Sequence, residues 1–156
     1  MRGKKPRKRI QPKDAKYGST ILNKFINCLM WDGKKNTART VVYDALEEIR
    51  AELKTDNPLE IFEMAMRNVS PNMEVRSRRI GGASYQVPRE VRPERKTALA
   101  MRWILDSSRK QKGARMATKL ARELVAASRN EGEAVRKREN THKMAEANRA
   151  FAHFAW

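Results

Sequence analysis

Apolar side chains recur at three- and four-residue steps through most of this chain, and at two-residue steps in one stretch near its middle. From Ser19, residues Ile21, Leu22, Phe25, Ile26 and Leu29 mark one face of a first helix, closed by a turn at Asp32-Gly33. A second helix, over about 36–53, carries Ala38, Val41, Val42, Ala45, Leu46, Ile49 and Leu53 as an apolar stripe suited to burial. Asn57-Pro58-Leu59-Glu60 predicts a helix start, with Asn57 as cap, Pro58 in the first turn and Glu60 reaching back to the cap. Phe62, Met66 and Val69 form that third helix's inner face, and Ser70-Pro71-Asn72 ends it.

The period then changes from helical to strand-like. Met73, Val75 and Ser77 alternate with Glu74, Arg76 and Arg78, and Ala83, Tyr85 and Val87 alternate with Ser84 and Gln86. Gly81-Gly82 between these runs supplies the positive backbone angles of a tight turn, which predicts a β-hairpin over about 73–89. The expectation is one face holding Val75, Tyr85 and Val87, with arginines on the other. A lone hairpin is marginal in water and needs anchoring by the helices. Helical spacing returns near Pro93, where Ala98, Leu99, Met101, Trp103, Ile104 and Leu105 give a broad apolar face. Residues 107–114 read as a basic linker. A fifth helix, about 115–129, buries Met116, Leu120, Leu124 and Val125, and Asn130 with Gly132 breaks it. A sixth, about 133–147, is polar, with Ala134, Val135, Met144 and Ala145 as its inward positions. The predicted fold is mainly α: a six-helix body over 19–147 with a protruding two-stranded hairpin, a disordered or extended basic arm over 1–18, and an aromatic tail over 148–156.

Charge changes the picture from a helical body to a polyanion binder. The chain of 156 residues has a formal net charge of +17. Such self-repulsion is relieved by a polyanion, of which nucleic acid is the commonest and an anionic membrane surface the rival. The charge is segregated. Residues 1–16 hold eight lysines and arginines against Asp14 alone. Residues 76–96 hold seven basic residues and two acids, and 102–122 hold seven and one, whereas 32–70 hold six and eight. That asymmetry is the footprint of a polyanion contact. Arginine dominates the hairpin, and its planar fork suits bidentate phosphate contacts. Tyr85, Trp103, Phe151 and Phe154 are candidate base-stacking residues, although Trp103 lies on an apolar helix face and reads as core. Ten phosphate contacts give a log–log salt slope of roughly −7 to −9.

Other chemistries find little support. Cys28, the single cysteine, excludes a disulfide within the chain, fits a reducing compartment, and reads as a small buried hydrophobe. With His142 and His153 the only histidines, a zinc site lacks ligands, and no metal or cofactor is expected. Neither a phosphate-loop nor a dinucleotide motif occurs. The basic N-terminus has no apolar run behind it, and so is not read as a secretory signal. The segment FINCLMW is too short to span a bilayer. Asp44, Glu48 and Glu52 share a helix face, which a magnesium nuclease would use, but a solvated face opposite the apolar stripe accounts for them.

Three segments carry a family resemblance: KYGSTILNKFINCLMWDGKKNTARTVVYDAL, EVRSRRIGGASYQVPREVRPERKTALAMRWI and MATKLARELVAASRNEGEAVRKRENTHKMAEANRAFAHFAW. From about residue 12 to the end, in order and with few gaps, the chain closely resembles the bacterial family of ribosomal protein seven of the small subunit. SRRIGGASYQVPREVRPER is the most specific part, whereas the first eleven residues match only in basic character. The resemblance implies a six-helix body with a protruding hairpin and no enzymatic activity. It implies binding to the 3′ major domain of small-subunit (16S) ribosomal RNA early in assembly, nucleation of the head, and a cytoplasmic place in the ribosome near the decoding centre. The hairpin would lie beside the exit-site tRNA and the mRNA exit path, with ribosomal proteins nine and eleven as neighbours and no membrane partner. Carried over by position, the RNA contacts would be Arg2, Lys4, Lys5, Arg7, Lys8 and Arg9 of the arm, Lys34, Lys35, Arg76, Arg78, Arg79, Arg92, Arg95 and Arg102. Arg109, Lys110, Lys112, Arg115 and Lys119 would join them, while Arg136 to Arg138 and the C-terminal tail would face RNA, transfer RNA or a neighbour protein. Gly81, Gly82 and Tyr85 would belong to the exit-site hairpin. The alternative reading is a DNA-architectural protein with a basic body and β arms, which predicts dimers on duplex DNA; RNA is preferred on the resemblance.

Overall fold

A computed structural model describes residues 12–154. Helices α1 (Thr20–Leu29), α2 (Lys35–Leu53) and α3 (Pro58–Val69) precede the strands β1 (Met73–Ile80) and β2 (Ala83–Glu90). Helices α4 (Pro93–Lys110), α5 (Met116–Ser128) and α6 (Glu133–Ala147) follow, and a final 3-10 helix spans Arg149–Phe154. The mainly α body with one antiparallel hairpin agrees with the periodicity.

The core lies between α1 to α5, with α5 packed against α2, α3 and α4. Leu22, Phe25 and Ile26 of α1 and Phe62 and Val69 of α3 are fully buried in this core, and the rings of Phe25 and Phe62 stand edge-to-face at 5.2 Å. Each such fully buried side chain is worth about 1.5–3 kcal/mol of transfer free energy. Trp103 is core, at 7% exposed. Several inward expectations fail, however. Ile21, at 37% exposed, and Met144, at 53%, face out, as do Ala98 and Cys28. Cys28 and Ala98 line grooves between α1 and α4 instead of filling the core.

Local chemistry explains the boundaries. Ser19 caps α1, its Oγ accepting the Leu22 N–H at 3.3 Å. Asp32 and Gly33 take φ of +50° and +72°, and the Lys34 N–H closes the turn on the Trp31 carbonyl at 2.9 Å. The reciprocal capping box at α3 does not form: Asn57 makes no side-chain cap, and its Nδ2 donates to Glu60 Oε1 at 2.9 Å instead. Residues 107–110, expected in a linker, continue α4. Ser107 and Ser108 are buried there, and Ser108 satisfies its hydroxyl by donating to the Ile104 carbonyl at 2.8 Å. Buried Glu123 joins the ends of the following elements, accepting from Gln111 Nε2 at 3.2 Å and from the Ala134 N–H at 2.9 Å at the start of α6.

Residues 12–18, read with the arm, fold back onto the body. Asp14 is buried, accepts the Lys16 and Tyr17 N–H groups, and receives the Tyr43 hydroxyl at 2.9 Å. Asn23 Nδ2 donates to the Pro12 carbonyl at 2.8 Å.

Candidate nucleic-acid interface

The hairpin turns at Gly81-Gly82, where φ is +57° and +93°, the two positive angles its two-residue loop demands. Its register pairs Val75 with Pro88, Arg76 with Val87 and Arg78 with Tyr85. Paired residues share a face of an antiparallel ribbon. Val75 therefore lies on the opposite face from Tyr85 and Val87, and the single apolar face expected from the sequence is not formed. Arg76 and Arg78 stand on the Tyr85 face and Arg79 on the other, so arginines occupy both.

The base of the hairpin is anchored on two sides. The Val91 N–H donates to the Asn72 carbonyl at 3.0 Å, and the Asn72 N–H donates to His142 Nε2 of α6 at 3.0 Å. Lys96 Nζ donates to Asn72 Oδ1 at 2.7 Å. Burial pushes the His142 pKa down, and Arg138 and Lys96 push it further; the neutral ring that accepts from Asn72 is thus favoured. On the other side, Tyr85 packs against Phe151 and Phe154 of the 3-10 helix at centroid distances of 5.3 and 5.6 Å. In this structure these three aromatics hold the hairpin to the C-terminal segment.

Glu74 organises the basic surface at the hairpin base. Its carboxylate is nearly buried and accepts Arg76 Nε at 2.7 Å and Arg95 Nε at 2.6 Å. Burial alone would raise its pKa, but the hydrogen bonds from Arg95 and Arg76 outweigh burial and hold it below the usual range. The two guanidiniums, both about half exposed, are fixed side by side over a cleft also lined by Arg89, Glu90 and Arg92. Strand β1 and helix α4 are thereby tied together by charge-assisted bonds, the stronger class of hydrogen bond.

From Arg95 the surface continues along α4. Arg95, Arg102 and Arg109 are seven residues apart, so they share one face, and all three are exposed. Arg95 and Arg109 are about 21 Å apart along the axis at the helical rise of about 1.5 Å per residue. At the far end, Arg109 Nη2 donates to the Leu29 carbonyl at 3.2 Å, and its guanidinium lies 5.0 Å from the Trp31 ring centroid. Arg109 thus brings the end of α4, with exposed Lys110 and Lys112, against the α1–α2 turn that carries Lys34 and Lys35. Asp106 is the acid flanking this stripe, and Lys137 pairs with it at 3.5 Å.

Beside the stripe, a groove of about 540 Å³ runs between α1 and α4, with Lys24, Cys28 and Met101 in its wall. The Cys28 sulfur is 4.0 Å from that of Met101, and burial pushes its thiol pKa up against the opposing pull of Arg102.

The remaining expected contacts fall elsewhere or are already engaged. Arg115 stands exposed at the N-cap position of α5 without a side-chain capping bond, and Lys119 is half-buried on that helix. Arg136 is exposed on α6 and pairs with Glu133 at 2.9 Å. Arg138, with a side chain only 18% exposed, donates to the Asn68 carbonyl and to Asn130 Oδ1, which makes it a clamp within the body. Arg2, Lys4, Lys5, Arg7, Lys8 and Arg9 lie outside the described residues. Among the acids of α2, Glu48 is half-buried and accepts the Thr118 hydroxyl at 3.1 Å. Among the described residues no group of three or more His, Cys, Asp or Glu side chains could hold a metal ion. No described helix is long and apolar enough to cross a membrane. Sequence reasoning missed Glu74, Trp31 and His142 as participants. The only signal for Glu74 was an acid inside an arginine-rich strand; its partner Arg95 lies on another element.

Comparison with known proteins shows the family. The chain is 53% identical over 156 residues to the small ribosomal subunit protein uS7 of Thermotoga petrophila, covering all of both chains. It is 53% identical over 156 residues to the same-named protein of Alkalilimnicola ehrlichii, covering 97% of this chain and 99% of that one. It is 57% identical over 144 residues to that of Rhodopirellula baltica, covering 92% of each. A family model described as ribosomal protein S7p/S5e matches residues 1–149, and the chain belongs to that family.

Proposed function

We propose that the protein is a structural, non-enzymatic component of the small ribosomal subunit in the cytoplasm and a primary binder of the 3′ major domain of 16S ribosomal RNA that nucleates assembly of the head. The observation that carries this reading is the stripe from the Glu74-organised arginines through Arg102 to Arg109 and the Lys34–Lys35 turn. A row of cations about 21 Å long, its ends tethered by Glu74 and by the Leu29 carbonyl, is long enough to meet more than one phosphate of a strand. Each phosphate neutralised releases counterions, and the gain is largest when the side chains are already in place. The body supplies the platform and the hairpin reaches where a helix bundle cannot, with exit-site tRNA and the mRNA exit path beside Gly81, Gly82 and Tyr85. The arm arginines and lysines add phosphate contacts. Ribosomal proteins nine and eleven of the small subunit are its protein neighbours.

A competition titration tests the reading. The 3′ domain transcript should be bound at least three orders of magnitude more tightly than duplex DNA of equal charge. Equal affinity would leave a generic basic protein and favour the DNA-architectural alternative.

A further inference from the structure

We propose that Trp31 is a base-stacking platform for an unpaired nucleotide at the end of the α4 arginine stripe, an inference that rests on the RNA-binding reading above. Trp31 is 67% exposed, the most exposed large hydrophobic side chain among the described residues. A surface indole offers a large, rigid apolar face with a π-system on which a partner can stack.

Three observations say what the partner is. First, the backbone under Trp31 is fixed. The Trp31 carbonyl accepts the Lys34 N–H at 2.9 Å across the left-handed pair Asp32 and Gly33. Second, the ring is held. The Arg109 guanidinium lies 5.0 Å from its centroid, and Arg109 is itself fastened to the Leu29 carbonyl. A pinned ring loses little freedom on stacking. Third, the surroundings are cationic: Arg109 lies at the ring, and Lys34 and Lys35 follow Trp31 by three and four residues, with Asp32 the neighbouring acid in the turn. An aromatic ring set among phosphate-binding cations matches a nucleotide, whose base offers a π face and whose backbone offers the charge. A purely apolar protein partner would have to desolvate these cations without neutralising them.

The test measures affinity for the 3′ domain transcript, and its salt dependence, for the full chain and for Trp31→Ala, Trp31→Leu and Trp31→Phe. Trp31→Ala should weaken binding by between about 5- and 150-fold, the range that base–aromatic stacking spans on alanine substitution. The salt slope should stay unchanged, because no phosphate contact is lost. Trp31→Phe should recover most of the affinity and Trp31→Leu little. Indole fluorescence should be quenched on binding, and the difference from Trp31→Phe assigns the quenching to Trp31. Unchanged affinity of Trp31→Ala overturns the inference while leaving the RNA-binding reading intact. Full affinity of Trp31→Leu overturns it in favour of an apolar contact. A reduced salt slope in Trp31→Ala overturns it in favour of a role in holding Arg109. A wild-type chain that does not prefer the transcript fails at the earlier step, and is recognised by that result alone.

Discussion

Replacing Glu74 with glutamine removes an acid from a strongly basic surface, and simple attraction to phosphate therefore predicts tighter RNA binding. The geometry predicts the reverse. The carboxylate, 11% exposed, accepts one Nε–H from each of Arg76 and Arg95. A glutamine oxygen can accept from one of them, but its NH₂ group then faces the other donor. A hydrogen bond to a charged group is worth about 1.5–3 kcal/mol when well formed. The arginines are 43% and 48% exposed, which discounts that figure for solvent screening. Loss of one bond, discounted in this way and with a donor left facing a donor, gives a destabilisation of about 1–2 kcal/mol. A chain of this length then melts about 2–8 °C lower. Releasing one arginine restores the rotamer freedom that binding must remove again, at about 0.5–1.5 kcal/mol, so affinity for the transcript falls about 2- to 12-fold despite the added net charge. Calorimetry and a filter-binding titration read the two quantities.

The same pair carries a pH signature. The Glu74 pKa in the folded chain lies below its ordinary value of 4.5. The unfolded state therefore binds its proton first as pH falls, and the stabilisation present at neutral pH is lost as pH drops below about 4.5 towards the folded value. The difference in melting temperature between wild type and Glu74→Gln should shrink across that window. An unchanged melting temperature at pH 7, or tighter RNA binding by Glu74→Gln, refutes the ordering role of the carboxylate.

Two further outcomes follow from the geometry. Gly132 holds φ +93° and ψ 172°, a region only glycine occupies readily, and a Cβ there would sit 3.2 Å from both Ala126 Cβ and Glu123 Oε1. Gly132→Ala should cost about 1–3 kcal/mol in a denaturant titration, more than Gly113→Ala, whose Cβ would meet nothing within 4 Å. His142, depressed below its ordinary 6.5 by burial and by Arg138 and Lys96, accepts the Asn72 N–H only when neutral. Wild-type stability should fall as pH drops below about 6.5, where the unfolded chain takes up the proton that the folded ring resists, and His142→Gln should flatten that decline in thermal melts.

Much of the fold was legible because the helices bury one face each. The stripes of α1, α2, α3 and α5 repeat at helical spacing, and Gly81-Gly82 leaves little choice but a two-residue turn. What failed was information held between elements. Placing Val75 on one face with Tyr85 and Val87 by apolar character missed the parity that a two-residue loop imposes, under which Val75 meets Pro88. Ser107 and Ser108 look like loop residues, yet they are buried on α4, where Ser108 returns its hydroxyl to the Ile104 carbonyl. Basic composition marked out candidate contact residues but could not sort the exposed ones from those engaged within the body. Arg138 and Arg95 look alike in sequence; one clamps the Asn68 carbonyl inside the body, and the other stands on the exposed stripe. That distinction depends on α3, β1 and α6 meeting at the hairpin base, which no local pattern encodes.

The stripe is the centre of the account, and the salt dependence of RNA affinity measures it most directly. Titrations of the 3′ domain transcript across a range of salt should compare wild type with the triple variant Arg95→Gln, Arg102→Gln, Arg109→Gln. The account predicts weaker binding and a log–log slope shallower by about 2–3, since each phosphate contact contributes roughly 0.7–0.9. A triple variant with wild-type slope and affinity would contradict it, and would move the RNA contact off α4.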